Sequence, residues 1–290
     1  MMYLVLSIII MSYLIVVFKY FERYHINFLQ VIVFNYITCV ITGALVQGEI
    51  PQYAEWVTRP WFTNAGFLGC SFIFFLNLMG YITTHQGVSV TSIANKLSLA
   101  IPVSVSFYLY QEPITFLKIT GIILSIGAVI LSSIKDQGLH TTLSLKLLAL
   151  PLLLFIGSGI NDSFVKYAQA RLLQENEFGV YNTAMFSFAA LIGLFALAYS
   201  LIVQKTPFNP KAIIAGIALG VPNYFSIYVL LKAFHLTGWD SSIIFPINNI
   251  GVVALSTVVA VVLFKEPMSI INKVGLALSI IAIVVMIYAT

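Results

Sequence analysis

Apolar stretches separated by short polar breaks make up most of the chain. Dividing it at its charges, prolines and glycines leaves ten stretches, each close to the roughly 20 residues that a helix needs to cross a bilayer core about 30 Å thick. They are residues 3–20, 28–47, 62–84, 88–110, 115–134, 145–167, 178–203, 211–235, 240–264 and 269–289. Runs such as GIILSIGAVILSSI do not alternate as the strands of a membrane barrel do, and lipid cannot satisfy an open backbone. The pattern therefore predicts an all-α membrane protein with ten transmembrane helices.

The second half of the chain repeats the first. A shift of 154 positions places the third to fifth stretches on the eighth to tenth without a gap, and a shift of 147 aligns part of the earlier stretches. Rare polar residues match as well as aliphatic ones. The matched pairs include Gly66 with Gly220, Asn95 with Asn249, Glu112-Pro113 with Glu266-Pro267, Gly121 with Gly275, and Asn35 with Asn182.

These matches predict two repeats with opposite orientations in the membrane. The first five-helix repeat is expected over 1–134, a connecting loop over 135–144 and the second five-helix repeat over 145–290. Because five is an odd number, the second copy must enter the membrane from the opposite side. Many secondary transporters use such inverted repeats for alternating access, with the substrate site at the repeat interface near the bilayer midplane.

Composition and charge exclude several other classes of protein. Hydrophobic residues make up 60% of the chain and charged residues only 8%, with a mean hydropathy of +1.00, which excludes a soluble enzyme and a disordered chain. The basic residues behind the net charge of +4 lie singly, so no nucleic-acid partner is expected. Cys39 and Cys70 lie inside apolar stretches, which predicts buried thiols. The N-terminal stretch lacks the features of a cleaved signal peptide, so we expect a retained first helix.

The end of each repeat carries a shared motif. The segments QEPITFLKITGIILSIGAVI and KEPMSIINKVGLALSIIAIVVM each place Glu and Pro ahead of a Gly in a helix rich in small and aliphatic residues. This pattern resembles the motif that closes each half of the drug/metabolite transporter superfamily, in its ten-span EamA-type branch. The resemblance covers nearly the whole chain, with one departure where Ile281 replaces the glycine found at Gly127. It implies an exporter or exchanger of metabolites, amino acids or related small solutes.

We therefore predict a secondary transporter that moves small polar metabolites, such as amino acids or organic anions, by alternating access around a central cavity. It is expected in a bacterial inner membrane as a monomer or homodimer, with a counter-ion or a proton as a further partner besides the solute and the bilayer. No enzyme motif, metal site or cofactor is expected. Two alternatives stay open: a flippase for a lipid-linked substrate, and a membrane-embedded enzyme or scaffold without transport.

Lys96 is the most informative polar residue. It lies about 12 Å deep in the fourth stretch, where a charge costs at least about 2.5–3.5 kcal/mol unless it faces a cavity or a partner. It is predicted to hold a substrate carboxylate or phosphate, the alternative being a structural lysine bonded to helix carbonyls or reaching toward the interface. Asn95, Asn248 and Asn249 are predicted to supply neutral hydrogen bonds to the substrate or, alternatively, to join helices.

Three further positions are candidates for function, and two repeated Glu-Pro pairs are candidates for helix starts. The repeated pair Asn35 and Asn182 is predicted to line the cavity. Asp162 is a candidate proton carrier, although Lys166 four residues later favours a self-neutralised ion pair. The repeated pairs Glu112-Pro113 and Glu266-Pro267 also invite an acid/base role, but they are predicted to begin the fifth and tenth helices, because an acidic residue is favourable beside the positive end of a helix.

Overall fold

The structure, a computed structural model, describes residues 1–23, 27–48, 53–86, 88–133, 145–264 and 269–288, and within these ranges it contains helices and no strand. The helices are α1 Met2–Arg23, α2 Phe28–Gln47, α3 Tyr53–Trp56, α4 Phe62–Gln86, α5 Val88–Leu97, α6 Ala100–Leu109, α7 Phe116–Ser133, α8 Leu145–Tyr167, α9 Phe178–Ile202, α10 Lys211–Leu236, α11 Ser241–Phe264 and α12 Ile270–Ile287. The all-α prediction is confirmed for these ranges. The predicted connecting loop over 135–144 and the second Glu-Pro motif at 266–267 lie outside them.

Within the described ranges, six helices are long and apolar enough to cross a membrane, which indicates a multi-pass membrane protein. They are Phe28–Gln47, Phe62–Ile82, Glu175–Ile202, Lys211–Leu236, Ser241–Leu263 and Ile270–Ile287. Their outer faces and those of the remaining helices carry apolar side chains such as Leu45, Phe116 and Ile270, which are 77% to 84% exposed. Water would drive such surfaces to associate, whereas acyl chains solvate them.

The helices of the two predicted repeats are interleaved. α2 packs against α9 and α10, and α7 packs along α12, so the most extensive contacts join the first repeat to the second. In addition, α1 lies against α10 and α11, while α8 lies against α4 and against both α5 and α6. The most extensive contacts therefore lie between the two halves of the chain, although α5 also packs against α4 and α7 of its own half.

Glycine allows the close approach of α2 and α10. The Gly216-x-x-x-Gly220 pattern is typical of helices that pack closely, within one chain or between subunits. A Cβ at Gly216 would meet the amide nitrogen of Asn35 at 2.9 Å, and a Cβ at Gly220 would meet the carbonyl oxygen of Asn35 at 2.6 Å. The pattern therefore serves a contact within the chain.

The predicted fourth helix, residues 88–110, is broken into α5 and α6 by a turn that begins at Ser98. Pro102 explains this break, because it has no N–H for the Ser98 carbonyl four residues earlier and its ring crowds that carbonyl. The carbonyl instead accepts the N–H of Ile101 at 3.0 Å. The aligned position in the second repeat is Ser256, and α11 continues through it without interruption.

Candidate functional site

Lys96 lies in the last turn of α5, immediately before the break. The final carbonyls of a helix lack intrahelical partners and carry partial negative charge, so this position favours a cation. The Lys96 ammonium donates to the Oδ1 atom of Asn249 on α11 over 3.5 Å, and both side chains are half-buried. No carboxylate in the described part of the chain forms a direct ion pair with it. The charge is therefore held between apolar helices by a neutral amide.

Asp162 on α8 brings a carboxyl group to the same place. One helical turn earlier, Gly159 packs on the break so closely that a Cβ there would meet the carbonyl oxygen of Ser98 at 2.8 Å. Residues three apart share a helix face, so Asp162 lies on the side of α8 that faces α5 and α6. Its carboxylate interacts electrostatically with the Lys96 ammonium. We call Lys96, Asn249 and Asp162 the Lys96 site.

The predicted ion pair between Asp162 and Lys166 is wrong. The Lys166 ammonium donates to the Oε1 atom of Gln169 over 2.7 Å and lies 4.7 Å from the centre of the Phe234 ring. Gln169 belongs to the π-helical turn that extends α8, so Lys166 turns toward that end of the helix and away from Asp162. An amide partner and an aromatic face satisfy the ammonium there.

The two other asparagines predicted beside Lys96 make separate contacts. Asn95 accepts the Ser98 hydroxyl with its backbone carbonyl over 2.6 Å, so it belongs to the break itself. Asn248 is buried on α11 and donates through Nδ2 to the Sδ atom of Met11 on α1 over 3.3 Å. Its Oδ1 atom is buried without a hydrogen-bond partner among the described residues. Asn248 therefore faces α1.

Asn35 and Asn182 lie elsewhere, at the junction of α2, α9 and α10. Asn35 accepts a hydrogen bond from the Nδ2 atom of Asn223 on α10 over 3.2 Å, and Asn182 donates to the carbonyl oxygen of Tyr224 on α10 over 2.8 Å. Both side chains are buried. The structure does not bring this repeated pair to the α5–α6 break, and each bond ties its helix to α10.

A cavity of ≈ 580 Å³ opens at one end of the bundle, between the ends of α2 and α10 and the start of α9. It is lined by Val46, Gln47, Gln174, Glu175, Asn176, Gly179, Tyr228 and Lys232. Its two charged residues pair with each other, because the Lys232 ammonium lies 2.7 Å from the Oε1 atom of Glu175. The sequence alone does not reveal this cavity, since the paired residues are 57 positions apart and no motif links them.

Glu112 caps α11, a helix in the second half of the chain. Its Oε1 atom accepts the Ser241 N–H over 2.8 Å and its Oε2 atom accepts the Ser242 N–H over 2.9 Å, at the first turn of α11. The first N–H groups of a helix lack intrahelical partners and favour a carboxylate. The predicted role of Glu112 at its own following helix is therefore wrong, since the carboxylate caps α11 and α7 begins only at Phe116.

A buried lysine supports the same contact between the two halves of the chain. Lys118 on α7 is only 1% exposed, and it pairs with Asp240 immediately before α11. Its ammonium also donates to the carbonyl oxygen of Pro113 over 2.9 Å. The α6–α7 connection is thus joined to the start of α11 by Glu112 on one side and Lys118 on the other.

Neither of the two cysteines belongs to the Lys96 site. Cys39 is buried and donates to the carbonyl oxygen of Gly220 over 3.2 Å. Cys70 is exposed on α4, so the prediction of a buried thiol is wrong for this residue, because α4 turns that side outward. Among the residues that the structure describes, no group of three or more His, Cys, Asp or Glu is placed to hold a metal ion.

Comparisons with known proteins define the fold. No family model matches the chain. A protein of Haemophilus influenzae, described as uncharacterized, is 26% identical over 281 residues, which are 94% of this chain and 93% of that protein. A solved crystal structure is similar with a TM-score of 0.78 at 14% sequence identity, covering 99% of this chain and 96% of that chain. The helical fold is therefore shared with a solved protein over nearly the whole length.

Proposed function

We propose that this protein is a secondary transporter of small polar solutes in a bacterial inner membrane, of the EamA-type drug/metabolite transporter kind that its sequence resembles. Its chain crosses the membrane ten times in two inverted repeats. The observation that carries the proposal is the Lys96 site, where charged and amide groups from three apolar helices meet beside a broken helix. Ionisable groups inside membrane-spanning bundles mark pathways for substrates and ions.

The packing of the helices supports the inverted repeat. In the proposed repeat, α1 corresponds to α8, α4 to α10, and the broken helix α5–α6 to α11. The contact of α1 with α10 then corresponds to that of α8 with α4, and the contact of α1 with α11 to that of α8 with α5 and α6. The contacts of α2 with α9 and of α7 with α12 map onto themselves. A pseudo-two-fold relation of this kind is what inverted repeats require.

The broken helix supports a binding role for Lys96. Transporters commonly form substrate sites from discontinuous helices, whose ends present partial charges to a ligand near the midplane. α6 begins at the break, and the start of a helix favours a negative group. An anionic group of the solute can therefore replace Asn249 as the partner of the Lys96 ammonium, while the first turn of α6 adds further attraction.

The test compares the purified protein with Lys96→Met, using Lys211→Met as a matched control because Lys211 is exposed at the start of α10. Amino acids, organic acids, sugar phosphates, nucleosides and cationic drugs are screened by thermal shift, and each solute that binds is followed by exchange in proteoliposomes. A ligand at 100 times its Kd stabilises by about 2.7 kcal/mol. We expect binding and flux with the wild type and Lys211→Met, and loss of both with Lys96→Met.

Other outcomes point to the alternatives. Unchanged flux in Lys96→Met would contradict the binding role of Lys96. Movement of a lipid-linked substrate without movement of any soluble solute would replace the proposal by a flippase. Product formation or capture of a partner protein, without flux, would replace it by a membrane-embedded enzyme or a scaffold.

A further inference from the structure

We infer that Asp162 binds a positively charged group of the solute, so that the Lys96 site selects solutes carrying both a negative and a positive group. This inference rests on the proposed function and adds to it the class of substrate. Lys96 alone would favour any anion. The Asp162 carboxylate on α8 restricts binding to those anionic solutes that also carry a positive group.

Packing on two sides holds Asp162 toward the break. On one side, Gly159 approaches α6 so closely that a Cβ would meet the Cβ atom of Ile101 at 2.6 Å. On the other side, the residue next to Asp162 is bonded to α4, since the Oδ1 atom of Asn161 accepts the Ser71 hydroxyl over 2.5 Å. These contacts fix the rotation of α8, and they keep the carboxylate on the side of α5 and α6.

The two charges of the Lys96 site do not satisfy each other directly. The Lys96 ammonium has a neutral partner in Asn249 at 3.5 Å, which is longer than the usual 2.7–3.2 Å of a hydrogen bond from nitrogen to oxygen. Among the described residues no hydrogen bond to the Asp162 carboxylate is seen, and its interaction with the Lys96 ammonium is electrostatic. Charges half-buried between helices are costly when they have no close partner. A ligand that offers both charges satisfies the two groups at once.

The selectivity of the site follows from the charge, on Lys96 or on Asp162, that each class of solute leaves unpaired. A solute with only a negative group pairs with Lys96 and places a second negative charge beside Asp162. A solute with only a positive group pairs with Asp162 and repels Lys96. A zwitterion pairs with both, so the filled site stays neutral, and neutrality matters most in surroundings of low dielectric constant.

The experiment measures binding to the full-length protein with three matched sets of probes. They are the standard amino acids, the carboxylic acids left when the amino group is removed, and the amines left when the carboxylate is removed. Each probe is titrated by calorimetry into wild type, Asp162→Asn, Lys96→Met and the control Lys211→Met. We expect at least one amino acid to bind the wild type and Lys211→Met at least tenfold more tightly than its acid and amine counterparts.

The variants should change this preference in opposite directions. Asp162→Asn should favour the carboxylic acid over the parent amino acid, because the unpaired negative charge is gone. Lys96→Met should favour the amine over the parent amino acid, because the positive charge that repels the amine is gone. Asp162→Glu should keep the wild-type order, which separates a charge effect from a loss of folding.

Each contrary result has a distinct meaning. Equal binding of an amino acid and its deaminated acid by the wild type would overturn the inference and leave transport standing, as would binding confined to solutes outside the three sets. An unchanged preference in Asp162→Asn, combined with uptake that no longer responds to a pH gradient, would overturn it in favour of proton coupling. Absence of flux for every soluble solute would refute the proposed function itself.

Discussion

Glu112 joins the two halves of the chain through a single side chain. Its oxygens accept three hydrogen bonds, two from the N–H groups of Ser241 and Ser242 and one from the Ser241 hydroxyl. Burial raises the pKa of the Glu112 carboxyl, but these hydrogen bonds outweigh burial and hold the pKa below its ordinary value. The cap therefore depends on the ionised carboxylate.

We predict that the thermal stability of the purified protein falls as the pH drops below about 4.5, and that Glu112→Gln flattens this dependence. A carboxyl whose pKa is lower in the folded state stabilises the fold above its unfolded pKa, and the stabilisation is lost as the pH falls through the folded pKa. The measurement is the unfolding midpoint in detergent across a pH series. Glu55→Gln, at an exposed position on α3, is the control. The same flattening in both variants would contradict a specific role for the cap.

Two of the three residues of the Lys96 site can be identified as candidates from the sequence alone. Lys96 stands out because a charge in an apolar stretch is costly, and Asn249 stands out because it repeats Asn95. The surroundings of Asp162 could not be found in this way. Spacing along one helix selected Lys166, whereas the opposite charge lies on another helix, and only packing brings the two helices together.

At the scale of helices, the break between α5 and α6 was not predictable from proline alone. Pro102 coincides with a break, yet Pro151, Pro222 and Pro246 lie inside helices that continue past them. Neighbouring helices and local adjustments decide whether the backbone groups freed by a proline are satisfied in place. The apolar stretch 88–110 therefore predicted one helix where the structure has two.

We predict that Gly159→Ala destabilises the protein by about 1–3 kcal/mol, the usual cost of overpacking, because the new methyl group meets Ile101 and the Ser98 carbonyl. Gly127→Ala on α7 is the matched control, since its nearest new contact is the Cδ2 atom of Leu278 at 3.5 Å. There, a better helix former in place of glycine should be neutral or stabilise by up to about 1 kcal/mol. Chemical unfolding in detergent measures the free energy of unfolding of both variants. Equal losses of unfolding free energy in both variants would show that the alanine itself lowers the stability, whether or not the helices pack closely there.

The whole molecule is held together mainly by contacts between its two halves. The positions of most helices could be predicted, because the length of each apolar run matches the thickness of a bilayer. Their neighbours could not, since lipid-facing and protein-facing sides are both apolar and sequence hydrophobicity does not separate them. The pair Asn35 and Asn182 shows this limit, because duplication suggested a shared cavity and packing instead bonds each to α10.

We predict that residues 1–134 and 145–290, produced as two separate chains, assemble into a complex when made together, while each chain alone aggregates. Each half alone lacks the partners of its main helix faces, since α2 needs α9 and α10, and α7 needs α12. A tag on one half, followed by affinity purification and size-exclusion chromatography, measures the assembly. Monodisperse halves that purify singly would contradict the prediction.

The hydrogen bond between Asn35 and Asn223 can form only some time after Asn35 has been synthesised. The two residues are 188 positions apart, so at about 5–20 residues per second the partner of Asn35 is translated roughly 10–40 s later. During that interval the Asn35 amide and the face of α2 that will meet α10 are exposed to lipid or to the insertion machinery. Ribosomes that stall before α10 therefore leave an incomplete product with an unsatisfied polar group in the membrane, which makes it a target for quality-control proteases.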